Sequence, residues 1–185
     1  MPTLYDAAMR NFRAAADILE SLQSSRIDLL GEARRGLIGR PRFVLKGGYN
    51  DVTPSFGACL PAGGRAEMLA IEGGVGVELR SSSADWLTLE GALTNQRAAE
   101  FCYVEIQVTA SDRPLIADLF LREFVRDGSI RDSDHQECHI NEGDGMVCRL
   151  ALREIDENVT GRRVIISLRH PAARLVLDRL SVILT

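Results

Sequence analysis

No apolar stretch in this chain of 185 residues approaches the ~20 residues a membrane-crossing helix requires, so insertion into a membrane as a helix is excluded. There is no excess of positive charge either. Lysine and arginine number 22 against 26 aspartates and glutamates, a formal charge of −4, whereas proteins that neutralise many phosphates present a net basic surface. Nucleic acid is therefore not an expected partner. Aromatic residues are scarce, at 5% with a single tryptophan. Glycine and proline, 16 and 6 in number, stay near the roughly 12% of ordinary globular chains, which excludes collagen-like and low-complexity readings. The opening MPTLYDAAMRNFR lacks the basic region, apolar run and small-residue cleavage site of a secretory leader. The expectation is a chain made in the cytoplasm without a signal peptide.

Cysteines are few as well. Cys59, Cys102, Cys138 and Cys148 are widely spaced and form no Cys-x-x-Cys pair, which excludes a zinc ribbon and argues against a small disulfide-dense scaffold. Cys102 in FCYVEIQV and Cys148 in MVCRLAL sit among apolar residues of expected strands, where a reduced thiol acts as a small buried hydrophobe.

What is present begins with a helical block. From residue 4 to about 37, Tyr5, Ala8, Phe12, Ala15, Leu19, Leu22, Leu29 and Ala33 recur at alternating spacings of three and four, with Arg26 at the one polar core slot. This predicts a single helix with a heptad stripe. Two roles fit the stripe, a coiled-coil stalk or an amphipathic helix packed on the domain C-terminal to it, because periods of 3.5 and 3.6 drift by only ~20° per heptad. Its position at one terminus, and small alanines at d slots that fill a two-helix core poorly, favour an oligomerising stalk over residues 1-40. Gly39, Arg40 and Pro41 then mark a hinge.

From Phe43 onward the period changes to two. Candidate strands are Phe43–Lys46, Ala66–Ile71, Val75–Arg80, Trp86–Leu93, Phe101–Thr109, Leu115–Val125, His135–Ile140, Val147–Glu154, Arg163–Arg169 and Arg174–Leu184. Turn signals separate them, among them Gly47-Gly48, Pro61 to Gly64, Gly73-Gly74, Asp127-Gly128 and Gly143 to Gly145. Short strands without helical crossovers predict a mainly β protein, an antiparallel β-sandwich over 41-185 behind the N-terminal α-helix.

Reading from Trp86, the order WLTLEGALT, FCYVEIQVTASDRP, LFLREF and RLVLDRLSVIL resembles the galactose-binding-like, carbohydrate-binding-module jelly roll. Tyr103 to Val108 stands in the place of that family's middle strand, with Val104 and Val108 as its valines, and Asp178 in the place of the closing strand's aspartate. The resemblance implies a jelly-roll sandwich that binds sugars without chemistry, and a structural calcium for which Asp178 is the metal candidate. The scarcity of aromatics is a departure, since binders of cellulose-like chains stack sugars on exposed rings. A helix followed by a sandwich head also resembles the receptor-binding spikes and fibres of phage-like particles, in arrangement only. That likeness implies a homo-oligomer, with a trimer favoured, on the surface of a released virion-like particle.

Strand alternation then nominates side chains. Tyr103, Glu105 and Gln107 share the polar face of their strand; Asp118, Phe120 and Arg122 share another, as do Arg149 and Arg153, and as do His135, Glu137 and His139. Were these strands neighbours in one sheet, their faces would merge into a surface of carboxylates, guanidinium groups, imidazoles and rings. Such a surface suits sugar hydroxyls and the apolar face of a pyranose, and its arginines would also suit an acidic sugar or a sulfate. Tyr49, in the loop-like Gly47 to Asp51, is a further candidate, and Trp86 reads either as a core anchor or as a sugar platform. The His135–Glu137–His139 set alone has metal-like spacing, as a cupin-type enzyme would use, although cupins carry a His-x-His pair.

The leading expectation is a non-catalytic carbohydrate-binding protein that recognises a cell-surface polysaccharide. Its binding residues are drawn from Tyr49, Trp86, Tyr103, Glu105, Gln107, Phe120, Arg122, His135, His139 and Arg149, with avidity from oligomerisation. The alternatives are a jelly-roll enzyme working through the His135 to His139 face, and a structural assembly subunit.

Overall fold

The computed structural model describes residues 4–40, 42–93, 99–154 and 156–185. The chain is mainly β. Two helices, α1 (Leu4–Ser24) and α2 (Leu29–Gly36), flank the short strand β1 (Arg26–Asp28), and eleven further strands complete the chain: β2 (Phe43–Thr53), β3 (Phe56–Ala70), β4 (Val77–Ser83), β5 (Trp86–Ala92), β6 (Phe101–Ser111), β7 (Leu115–Val125), β8 (Ile130–Asp132), β9 (Gln136–Ile140), β10 (Gly145–Ala151), β11 (Val159–Arg169) and β12 (Arg174–Leu184).

The strands form a jelly-roll sandwich with antiparallel pairing. The first sheet runs β10-β6-β12-β4, with β1 also on β12. The second runs β5-β11-β7, with β8 and β9 successively along β7. β3 joins the two, because Phe56–Cys59 pair with β5 while Arg65–Ala70 pair with β4. Alternate residues of both sheets meet in one core, including Val104, Ile106, Leu180 and Val182 from the first and Leu89, Leu119, Val164 and Ile166 from the second. Cys102 lies in this core, and burial pushes its thiol up to about 12. Burial likewise raises Cys148 to about 11. All four cysteines are free thiols.

The single helix expected over residues 4–37 is divided. Ser24 and Ser25 donate their hydroxyls back to the carbonyls of Ser21 and Leu22, ending α1. Arg26, Ile27 and Asp28 then pair with Ile183, Val182 and Ser181. Asp28 restarts the helix by accepting a hydrogen bond from the Gly31 amide at 2.9 Å, the role of an N-cap. The stripe therefore serves two ends. Leu29, Leu30 and Ala33 enter the sandwich core, whereas α1 stays exposed along nearly its whole length. Pro41, the last residue of the expected hinge, lies outside the described residues.

Strand positions otherwise follow the period-two runs, except that β2, β3 and β11 extend well beyond them and β8 forms where no strand was expected. The expected turns at Gly47-Gly48 and at Pro61 to Gly64 are irregularities inside the long β2–β3 hairpin, where the register shifts between Lys46 and Gly48. Gly48 and Gly63 take φ of 90° and 82°, values that favour glycine. The Asn50 side chain fastens the distortion, accepting from the Lys46 amide and donating to the carbonyls of Lys46 and Gly48. Glycine here marks a bulge rather than the end of a strand.

Candidate functional site

The second sheet turns a chemically dense face away from the core. Its alternate residues Leu87, Leu89, Val164, Leu168, Ala117 and Leu121 are buried inward, so the residues between them point outward. Strand register aligns these in rows. One row crosses five strands as Cys59, Thr88, Ser167, Asp118 and Glu137, with Tyr49 of β2 opposite Cys59. At the usual spacing between strands, that row spans roughly 19 Å from β3 to β9.

The middle of the row consists of three adjacent short side chains, Cys59, Thr88 and Ser167, a low row termed the trough below. On one side stands the row Gly57, Glu90, Ile165 and Phe120, and on the other Trp86, Arg169, Ile116 and His139. Ile165 and Phe120 face outward yet are buried, because neighbouring side chains lie over them. The His135 ring stacks on Phe120 with centroids 4.0 Å apart and planes 7° from parallel, and the Arg122 guanidinium lies 5.4 Å from the same ring. Among the expected ring platforms, Phe120 is thus covered by an imidazole, while Tyr49 at 41% and Trp86 at 37% remain exposed.

Each arginine of this face is held by a carboxylate. Arg169 donates from Nε and Nη2 to the two oxygens of Asp118, each at 2.6 Å, and its Nη1 lies 2.8 Å from Glu137. The hydrogen bond to Asp118 raises the Arg169 pKa further. Arg122 pairs through two 2.8 Å bonds with Asp132. Arg163 lies 4.7 Å over the Tyr49 ring and 5.5 Å from that of Phe124, hydrogen-bonds the Tyr49 hydroxyl, and approaches Glu90 at 3.5 Å. Thr88 donates to Glu90 at 3.0 Å. Burial raises the Tyr49 pKa against the opposing pull of Arg163, so its hydroxyl is protonated at neutral pH.

Gly57 is what lets Tyr49 lie there. The Tyr49 hydroxyl and Cζ occupy the place a Cβ on Gly57 would take. Neither Gly57 nor Arg163, Arg169, Glu90, Thr88 and Ser167 was singled out by the sequence motifs. The signal for β11 was there, since Arg163, Ser167 and Arg169 alternate with the core residues Val164, Ile166 and Leu168.

The structure brings together Tyr49, Trp86, Phe120, Arg122, His135 and His139, and separates them from the rest. Tyr103, Glu105 and Gln107 lie on β6 and Arg149 on β10, both in the first sheet, and β10 meets the second sheet only at its edge, where the Gln136 side chain donates to the Arg149 carbonyl at 2.9 Å. The expected merging of these faces does not occur, because alternation assigns a face within a strand but not which strands are neighbours. Glu105 is engaged structurally, 3.0 Å from Arg26 of β1 and accepting from Ser181 Oγ at 2.6 Å. Arg149 covers the Phe101 ring at 4.8 Å.

The metal-like set is also taken apart. His135 lies flat on Phe120, and Glu137 is shared by Arg169 and by His139 Nε2 at 3.2 Å, so the three side chains do not converge. Asp178 sits at the irregularity of β12 between Leu177 and Arg179. Among the described residues no group of three or more His, Cys, Asp and Glu is placed to hold a metal ion.

No protein-family model and no curated protein matches the chain. Among solved structures, it is similar to a xylan-binding domain of carbohydrate-binding-module family 22, with 14% identity over 71% of this chain and 88% of that one at a TM-score of 0.46. A family 11 carbohydrate-binding module from Clostridium thermocellum, in complex with a β-1,3-1,4-mixed-linked tetrasaccharide, shares 11% identity over 77% and 95% of the two chains, TM-score 0.46. A family 22 xylan-binding domain from Paenibacillus barcinonensis shares 7% over 69% and 91%, TM-score 0.49.

Proposed function

We propose that the outer face of the second sheet binds carbohydrate without catalysing a reaction on it. The observation that carries this reading is the trough itself: a row of short side chains, Cys59, Thr88 and Ser167, flanked by the exposed rings of Tyr49 and Trp86 and by ion pairs that keep donors and acceptors in place. Sugar hydroxyls need both donors and acceptors, and the apolar face of a pyranose needs a ring beside it. Paired guanidinium and carboxylate groups retain unused N–H groups and lone pairs for such hydroxyls. A row of short side chains crossing the sheet suits a chain lying along it, so we assign it a cell-surface polysaccharide. A helix-borne head of this kind fits the receptor-binding part of a phage-like particle.

The test is a glycan-array and whole-cell binding assay on the purified chain, with and without EDTA. The reading expects a saccharide signal that survives the chelator. Silence across a broad array contradicts it, and a signal abolished by EDTA contradicts metal-free recognition.

A further inference from the structure

Helix α1 contributes almost nothing to the sandwich. Tyr5, Phe12, Leu19 and Ile18 are 73%, 72%, 66% and 60% exposed, and they lie along one helix of 21 residues. A contiguous apolar surface on a helix clear of its own domain marks an interaction site. With Tyr5 taken as position a of a heptad, the a slots are Tyr5, Phe12 and Leu19 and the d slots Ala8, Ala15 and Leu22.

The charges say what covers this stripe. Asp6, Arg10, Arg13, Asp17 and Glu20 all fall on b and f slots, while the e and g slots hold Met9, Asn11, Ala16, Ile18 and Gln23. In two-stranded coiled coils the e and g slots commonly carry the charges that flank the seam. Here they are uncharged, so the surface able to make contact is wider than an a/d seam and reaches both flanks of the helix. Identical copies would meet over it with no like charges opposed. Each helix then has room for a neighbour on either side, which also accommodates the small Ala8 and Ala15 at d.

The connection permits this assembly. α1 ends at Ser24, and β1 pins the chain to β12 of the first sheet, on the opposite side of the core from the trough.

We infer that α1 is a self-association seam, and that its occupant is the α1 helix of further copies of this chain, bundled in threes. This goes beyond the carbohydrate reading and does not depend on it.

The test is the light-scattering mass of the full chain without any saccharide, beside the double variant Phe12→Asp/Leu19→Asp and the control Arg10→Glu on an f slot. The expected result is three chain masses for the native protein and the control, and one for the double variant, a threefold fall, with the sandwich's thermal unfolding unchanged. A native protein of one chain mass, or an oligomer that persists in the double variant, overturns the inference. Loss of glycan binding alone leaves these masses unaffected, so the two readings fail separately.

Discussion

Arg162 and Glu123 show how much a single residue can carry in this fold. Arg162 is only 3% exposed and Glu123 8%. The arginine's Nε donates to Glu123 at 3.0 Å, and its Nη2 reaches both that carboxylate and the Arg153 carbonyl. Removing one partner of a buried pair strands the other charge in a low-dielectric interior. Glu123→Ala is therefore expected to cost about 3–5 kcal/mol, read as a fall in the urea midpoint; an unchanged midpoint would show that water reaches Arg162. At this scale the sequence is uneven. Tyr49 was legible as an outward residue from its polar glycine-rich setting, whereas Trp86 read either as a core anchor or as a sugar platform. Gly57 was not, because its importance lies in the Tyr49 hydroxyl occupying the space beside it, a contact across a hairpin whose register the sequence does not state.

Elements were legible where period and punctuation agreed. The edges of β7 and β12 match their period-two runs, since a slip of one residue would expose the apolar set of either strand. The heptad stripe was misleading for the opposite reason. A stripe is continuous in sequence even when two serines and a strand divide it, and only tertiary pairing with β12 shows that its second part belongs to the core. α2 docks through glycine. The Cδ atoms of Leu29 lie where a Cβ on Gly91 would stand, and Val52 crowds Gly36 in the same way. Gly91→Ala must push Leu29 out of a core position that is 0% exposed, and overpacking of this kind costs about 1–3 kcal/mol. The expected outcome is a lower thermal midpoint with the β-sheet circular dichroism retained below it. An unaltered midpoint would mean that α2 can shift without loss.

For the whole molecule, the mainly β class, the sandwich and the approximate strand positions could be read from residues alone, because alternation and turn chemistry are local. Which strands share a sheet could not. Two candidate surfaces, one around Tyr103 and Arg149 and one around Phe120 and Arg122, looked like one until β3 was seen to carry the chain from one sheet to the other. The trough exists only in the folded molecule, since its row draws on β2, β3, β5, β11, β7 and β9. The two faces also make carbohydrate binding at the trough sharply testable. Calorimetric titration of a saccharide bound on the array, into the native chain, Trp86→Ala and Tyr103→Ala, compares one ring from each face. Binding at the trough predicts a loss of about tenfold or more in affinity for Trp86→Ala, a change of about 1.4 kcal/mol, and native affinity for Tyr103→Ala; native affinity in Trp86→Ala together with a loss in Tyr103→Ala would contradict it.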